Sequence, residues 1–187
     1  MKIGIFGGTF DPIHHGHLIL ARDALEAFAL DQLIFVPNVV SPHKLRGTPV
    51  DPQIRLAMVY AAIEKEPALE CDPVELERGG TSFTIDTVLH MHERFPGAEF
   101  FLLVGADNLP KLHTWRRVEE LERLATLVVL TRGDDSTVLP YPVLPRQIDI
   151  SATEIRERVA KGRSIRYLVP DPVREMIELE ALYLEDR

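Results

Sequence analysis

Two histidines near the N terminus stand directly after a glycine-rich turn. His14 and His17 flank Gly16, and Gly7 and Gly8 precede them at the start of the segment Gly-Gly-Thr-Phe-Asp-Pro. Because side chains three positions apart share one face of a helix, the two imidazoles face the same way if a helix begins here. Glycines let a backbone approach a phosphate closely, and each imidazole can donate a hydrogen bond to a phosphate oxygen. The segment therefore predicts a phosphate-binding turn.

Two common phosphate loops do not fit this segment. The dinucleotide fingerprint requires GxGxxG and an acidic residue at the end of the second strand, whereas the glycines here lie at positions 4, 7 and 8 and the second predicted strand ends in Val-Pro-Asn. The P-loop requires Gly-Lys followed by Ser or Thr, a tripeptide that the chain lacks. What remains is a phosphate turn in which histidines replace the lysine.

A second polar segment begins a predicted helix late in the chain. It reads Ile-Ser-Ala-Thr-Glu-Ile-Arg and starts at residue 150. Ser151 and Glu154 match a capping box, in which each side chain binds a free backbone amide of the helix start. A capping box gives no reason for Thr153 or Arg156.

The elements that must position these residues alternate between strands and helices. Short apolar runs predict strands at residues 2–6, 32–36, 70–75, 99–104, 127–131 and 143–150, and amphipathic patterns predict helices at residues 15–28, 52–65, 84–95, 118–124, 153–161 and 172–182. Such alternation indicates βαβ units, and hence an α/β fold with a mainly parallel sheet covered by helices on both faces. Asp-Pro pairs at residues 51 and 171 predict two helix starts.

Composition narrows the setting of the protein. The chain has 187 residues, a net charge of −8 and one cysteine, Cys71. We expect one domain over residues 1–187, in which the helices from about residue 151 complete the site. The unpaired cysteine favours a reducing cytoplasm. The negative charge argues against binding to nucleic acids, and the apolar runs fall short of the ~20 residues that span a membrane. These features leave the oligomeric state open.

The two polar segments carry a family resemblance. Gly-Gly-Thr-Phe-Asp-Pro followed by His-x-Gly-His resembles the signature of the nucleotidyltransferase superfamily, and the segment from Ser151 to Arg156 resembles its second signature. The resemblance implies a Rossmann-like, doubly wound core. It also implies transfer of a nucleotidyl group from a nucleoside triphosphate to a phosphate acceptor.

Three further stretches narrow the resemblance to one family. They are Pro-His-Lys ending at Lys44, Thr-Ser-Phe-Thr-Ile-Asp-Thr at residues 81–87, and Gly105-Ala-Asp107-Asn followed by Trp115. Together with the two signatures, from residue 1 to about residue 182, they resemble the bacterial nicotinate-nucleotide adenylyltransferases. The resemblance implies adenylyl transfer from ATP to nicotinate mononucleotide in NAD biosynthesis, which yields deamido-NAD and pyrophosphate.

The resemblance implies two groups of site residues. On the ATP side it implies four residues that line the first turn, two histidines and a lysine at the phosphates, three residues at the late helix start and two at the adenosine: Gly7, Gly8, Thr9, Phe10, His14, His17, Lys44, Ser151, Thr153, Arg156, Gly105 and Asp107. On the mononucleotide side, Trp115 would stack on the pyridine ring, and amides near Thr84 and Arg116 would bind its carboxylate. Mg²⁺ would accompany ATP, and Asp11 is a candidate to influence it.

Some positions depart from the family pattern, and other functions remain open. Ala152 replaces a serine, Phe83 stands where tyrosine is common, and Arg116 follows the tryptophan in place of tyrosine. Within the superfamily, the alternatives are a phosphopantetheine adenylyltransferase and a cytidylyltransferase. Outside it, they are a metal-dependent hydrolase that uses His14, His17 and Asp11, and a nucleotide sensor without catalytic activity.

Overall fold

Six strands, all parallel, form one sheet in the computed structural model, which describes residues 1–39, 49–131 and 140–184. The strands are β1 Lys2–Gly8, β2 Gln32–Pro37, β3 Leu69–Cys71, β4 Glu99–Gly105, β5 Thr126–Thr131 and β6 Val143–Pro145. Their order across the sheet is β3-β2-β1-β4-β5-β6. This is the order of a doubly wound Rossmann-like sheet, so the predicted α/β fold class is confirmed.

Helices cover both faces of this sheet. They are α1 His15–Ala27, α2 Pro52–Ile63, α3 Val74–Arg78, α4 Thr84–Arg94, α5 Val118–Leu124, α6 Ala152–Ala160 and α7 Asp171–Leu179, with a 3₁₀ helix at Ala106–Thr114. Successive strand side chains point to opposite faces, so Phe100 and Phe101 of β4 lie in different apolar layers. Helices α1, α2, α6 and α7 pack in the layer of Phe101, and α3, α4 and α5 pack in the layer of Phe100.

The structure corrects three predicted elements. The strand predicted at residues 143–150 ends at Pro145. The strand predicted at residues 70–75 ends at Cys71, and a short helix follows because the Asp72 carboxylate accepts a hydrogen bond from the amide of Val74 at 2.8 Å. The 3₁₀ helix Ala106–Thr114 was not predicted, since Pro110 inside it masks the helical pattern. Cys71 is buried and free, as its place in an apolar strand indicated.

Two of three predicted helix caps are present. The Asp51 carboxylate accepts the amide of Gln53 at 2.7 Å, and the Ser151 hydroxyl accepts the amide of Glu154 at 3.1 Å. The third prediction is wrong, because Pro170 precedes the last helix and Asp171 is its first residue. Asp171 instead pairs with Arg174 one turn later, at 3.3 Å.

The strand order reverses between β1 and β4, at the centre of the sheet. β1 continues to β2 on one side, and β4 continues to β5 on the other. In open sheets of this kind, ligands bind in the crevice beyond the carboxyl ends of the strands at this reversal. The turn after Gly8 and the segment after Gly105 both lie there. Within the described ranges, no helix is long and apolar enough to cross a membrane.

Candidate active site

The glycine turn begins inside the sheet rather than after it. β1 runs through Gly7 and Gly8, two residues beyond its predicted end, because these residues pair with Val36 and Pro37 of β2. A Cβ atom on Gly8 would lie 2.8 Å from the Phe10 ring, so this position requires glycine. A Cβ atom on Gly7 would meet no atom of the described residues within 4 Å. The exposed backbone at Gly7 can therefore accommodate a ligand close to the chain.

The ring of Phe10 packs in the apolar layer beside the glycine turn. Phe10 is 3% exposed, and its ring packs edge-on against Phe6, Phe35 and His17. The ring centroids of Phe10 and His17 are 5.1 Å apart. Its φ of 47° lies in the left-handed region, where the chain turns toward α1. Because the ring is buried, Phe10 can contribute to a site through its backbone and through the packing of His17.

The two histidines lie against each other at the start of α1. Their ring centroids are 3.7 Å apart and the rings are close to parallel. The backbone amide of His14 donates to Nδ1 of His17 at 3.2 Å. An Nδ1 that accepts a hydrogen bond carries no proton, so the ring proton of neutral His17 is on Nε2. This Nε2–H group is suited to donate to an anion.

The late helix start meets the glycine turn directly. Nη1 of Arg156 donates to the main-chain oxygen of Asp11 at 2.7 Å, and its Nη2 donates to the Thr153 hydroxyl at 3.2 Å. A Cβ atom on Gly16 would lie 3.4 Å from Ile148, which places the approach to α6 against the start of α1. The two segments with phosphate-binding signatures therefore form one surface, although 145 residues separate Asp11 from Arg156.

The end of β4 lies beside β1 across the strand reversal. Asn108 donates to the main-chain oxygen of Gly105 at 3.4 Å. A Cβ atom on Gly105 would lie 2.5 Å from Oδ1 of Asp107, so the Asp107 carboxylate folds back over this glycine. Any side chain at position 105 would displace that carboxylate. Lys44, the remaining predicted ATP residue, lies outside the described residues.

The residues predicted for the mononucleotide converge on the start of α4. The Arg116 guanidinium lies 4.9 Å from the centroid of the Phe83 ring and 3.9 Å from the Asp86 carboxylate. Trp115 packs in the same apolar layer as Phe83, and α4 begins at Thr84 without a side-chain cap. The Phe83 ring, the Arg116 guanidinium and a helix start without a side-chain cap therefore lie together, which suits an aromatic ring that carries an anion.

Comparison with known proteins assigns this arrangement to a family. A family model described as cytidylyltransferase-like matches residues 5–158. A relative from Gemmatimonas aurantiaca, a probable nicotinate-nucleotide adenylyltransferase, is 46% identical over a match that covers 99% of this chain and 93% of the relative. The corresponding protein of Geobacillus thermodenitrificans is 44% identical, with 97% and 86% covered. The chain belongs to the nicotinate-nucleotide adenylyltransferase family. The resemblance seen in the sequence motifs is thereby confirmed.

A solved structure agrees with the fold of this family. The Plasmodium falciparum nicotinic acid mononucleotide adenylyltransferase complexed with APC superimposes with a TM-score of 0.76. The match covers 97% of this chain and 96% of the other, at 19% sequence identity. At this identity the likeness concerns the arrangement of strands and helices, which is shared over nearly the whole length.

Sequence reasoning missed Arg55, which lies under the glycine turn of this adenylyltransferase family member. Its fully buried guanidinium donates to the carbonyls of Thr9, of Asn38 at 2.8 Å, of Val39 at 3.3 Å and of Val50 at 3.0 Å. Arg55 thus connects the glycine turn with the residues on either side of the segment that carries Lys44, namely residues 38–39 and Val50. Its position on an otherwise ordinary amphipathic helix gave no signal of this role.

The Asp11 carboxylate, a candidate to influence Mg²⁺, has a protein partner in this structure. It is nearly buried, and the Tyr183 hydroxyl donates to its Oδ1 at 2.7 Å. Burial lowers the pKa of Arg55, and the negative charge of Asp11 opposes this shift. Among the described residues, no group of three or more His, Cys, Asp or Glu side chains is placed to hold a metal ion.

Glu75 is a further buried acid, and the sequence analysis did not single it out. The Thr87 hydroxyl donates to its Oε1 at 2.5 Å, which ties α3 to α4 just behind the start of α4. Burial raises the pKa of Glu75, while the hydrogen bond from Thr87 lowers it. Glu75 thereby fixes the segment that presents Thr84.

Proposed function

We propose that this protein transfers the adenylyl group of ATP to nicotinate mononucleotide, giving deamido-NAD and pyrophosphate. An oxygen of the mononucleotide 5′-phosphate forms a bond to the α-phosphorus of ATP. The bond from that phosphorus to the bridging oxygen breaks, and pyrophosphate leaves with the electron pair. The observation that carries the proposal is the hydrogen bond from Arg156 to Asp11, which joins the two phosphate-binding segments at the reversal of the sheet.

The ATP phosphates would lie between the histidine pair and Arg156. The mononucleotide phosphate is already an anion near neutral pH, so the reaction needs no strong general base. The acceleration must come from the alignment of two anions and from donors that neutralise the charge of the leaving pyrophosphate. Nε2 of His17, the ring of His14 and the guanidinium of Arg156 are suited to this task, and Lys44 would add a further charge.

The remaining ATP contacts would come from the turn and from the end of β4. The backbone of Gly7, Gly8 and Thr9 would lie along the phosphates, and Gly105 and Asp107 would contact the adenosine. Ser151 and Thr153 would present the start of α6 to the triphosphate. Mg²⁺ would enter with ATP as part of the substrate, held by phosphate oxygens, and no step requires an ion held by Asp11.

The nicotinate ring would bind beside the start of α4. Trp115 would stack on it, and its carboxylate would accept hydrogen bonds from amides near Thr84 and Arg116. The Arg116 charge favours a carboxylate over the neutral amide of nicotinamide. We place the reaction in the cytoplasm, because its reducing conditions suit a protein whose one cysteine, Cys71, forms no disulfide.

Pyrophosphate release from ATP tests the proposal against its rivals. The purified protein is assayed with nicotinate mononucleotide, nicotinamide mononucleotide and phosphopantetheine in turn. We expect release with the first, slower release with the second and none with the third. Release only with phosphopantetheine would identify the other adenylyltransferase, and release only from CTP would identify a cytidylyltransferase. ATP binding without release would identify a sensor, and one equivalent of tightly bound zinc would favour the hydrolase.

A further inference from the structure

The chain returns to the glycine turn after its last helix. Beyond α7, the amide of Leu182 donates to the carbonyl of Ile177 at 3.0 Å, and Ala181 and Tyr183 have φ values of 50° and 60°. These two left-handed residues reverse the chain. The Tyr183 hydroxyl then donates to Oδ1 of Asp11 at 2.7 Å, across 172 residues of sequence.

The conformation of Tyr183 indicates that its side chain holds the turn in place. Residues with a Cβ atom disfavour the left-handed region, where glycine or asparagine is usual. A tyrosine kept at such a position must gain enough from its contacts to offset the backbone cost. Its described contacts are the hydrogen bond to Asp11 and packing against the apolar layer that contains α2 and α7.

Asp11 also interacts electrostatically with a buried positive charge, the guanidinium of Arg55. The described hydrogen-bond partners of Arg55 are carbonyl oxygens, which carry no net charge, so its guanidinium is offset by nearby carboxylates, by Asp11 more than by Asp51. Burial raises the pKa of Tyr183, as does the negative charge of Asp11, so the hydroxyl keeps its proton and donates. The hydrogen bond from Tyr183 thus fixes the orientation of the Asp11 carboxylate, and moving this carboxylate away would leave the buried charge of Arg55 without this compensation, at a cost in free energy.

Two groups of the proposed phosphate site depend on the position of Asp11. Its main-chain oxygen accepts Nη1 of Arg156 at 2.7 Å. Its neighbour Phe10 packs against the ring of His17, with centroids 5.1 Å apart. A shift of Asp11 would therefore move the guanidinium on one side of the triphosphate and the imidazole on the other.

We propose that Tyr183 is a positioning residue of the ATP-phosphate site: its hydroxyl holds Asp11, and through Asp11 it aligns Arg156 and His17. Residues 180–184, which follow α7, are on this account part of the active site, although they touch no reacting atom. The inference rests on the proposed function for the identity of the ligand, and it concerns the ATP half of the site alone.

The test compares Tyr183→Phe with Tyr141→Phe in the full chain. Phenylalanine keeps the ring and the backbone preference and removes a single hydroxyl. Tyr141 is the matched control because its hydroxyl also donates to a carboxylate, that of Glu122 at 2.5 Å, on the surface. ATP affinity is measured by calorimetry without the second substrate, so this readout does not depend on turnover. Steady-state KM values for both substrates and thermal unfolding accompany it.

We expect Tyr183→Phe to weaken ATP binding about tenfold, as for the loss of a hydrogen bond to a charged group, and to leave the KM for nicotinate mononucleotide unchanged. Tyr141→Phe should bind ATP like the wild type. Equal ATP affinity in the two variants would overturn the proposal, and so would a loss of thermal stability in Tyr183→Phe without a change in ATP affinity. If the wild type binds ATP but does not turn over, the proposed function fails while the comparison of ATP affinities still decides the role of Tyr183.

Discussion

Replacing His17 by two different amides separates its structural role from its proposed catalytic role. The His17 ring uses its two nitrogens differently: Nδ1 accepts the amide of His14 at 3.2 Å, and Nε2 carries the proton proposed to reach a phosphate. Asparagine places an amide near the position of Nδ1, and glutamine places one near that of Nε2. His17→Asn therefore keeps the acceptor and loses the distal donor, whereas His17→Gln does the reverse.

The magnitudes follow from these two interactions. Loss of one donor to a developing charge lowers kcat about a hundredfold to a thousandfold, and we expect this in His17→Asn and in His17→Ala. Loss of the hydrogen bond from His14 costs about 1 kcal/mol of unfolding free energy, which in a chain of this size lowers Tm by roughly 2–4 °C. Both amides lose the ring contacts with Phe10 and His14, so that loss largely cancels when the two variants are compared.

The assays are pyrophosphate release at saturating substrates and thermal unfolding without ligand. We expect His17→Gln to turn over at least about tenfold faster than His17→Asn and to melt at the lower temperature. If His17→Asn turns over as fast as His17→Gln, Nε2 is not the phosphate donor. A folded His17→Ala protein with near-normal kcat would remove this residue from catalysis altogether.

Three further predictions concern other parts of the site. Trp115→Ala should raise the KM for nicotinate mononucleotide with a smaller effect on ATP, and an unchanged mononucleotide KM would exclude stacking. Burial raises the pKa of Glu75 above its usual 4.5, so ionisation of Glu75 opposes folding. The stability that protonated Glu75 contributes is complete below pH 4.5 and is lost as the pH rises through the raised pKa. Denaturation midpoints should therefore show wild type losing stability relative to Glu75→Gln between acid and neutral pH, and parallel pH profiles would contradict this. Gly16→Ala would place a Cβ atom 2.9 Å from Nδ1 of His14 and should lower kcat about tenfold. The control Gly4→Ala, whose Cβ atom would lie 2.9 Å from Leu30, should lower stability and leave kcat per folded molecule unchanged. Equal kcat in the two variants would contradict the role of the histidine pair.

The sequence was most informative where a local pattern has a local cause. Apolar runs predicted four of the strands, β1, β2, β4 and β5, near their observed ends, because a buried parallel strand needs a continuous run of apolar side chains. Ser151 and Asp51 cap helices as predicted, since a cap depends on residues two or three positions away. The strand prediction failed at residues 72–75, because Asp72 ends β3 and its carboxylate binds the amide of Val74 at the start of α3.

The motifs were also sufficient to identify the family. The glycine turn, the histidine pair and the segment from Ser151 to Arg156 are contiguous, so each can be recognised without knowledge of the fold. Their proposed roles depend on contact between them, and that contact was inferred rather than visible in the sequence. The hydrogen bond from Arg156 to Asp11 is the tertiary observation that brings the first and last motifs together.

The sequence by itself thus determined the alternation of strands and helices, the glycine and histidine motif of the first turn and the family. Only the tertiary structure revealed Arg55 beneath the turn, the bond from Tyr183 to Asp11 and the buried Glu75 behind the start of α4. The physical reason is the range of the interactions. A strand or a cap is set by neighbours in sequence, whereas the cost of a buried charge is offset by groups that meet only when distant elements pack, and such partners leave no local pattern.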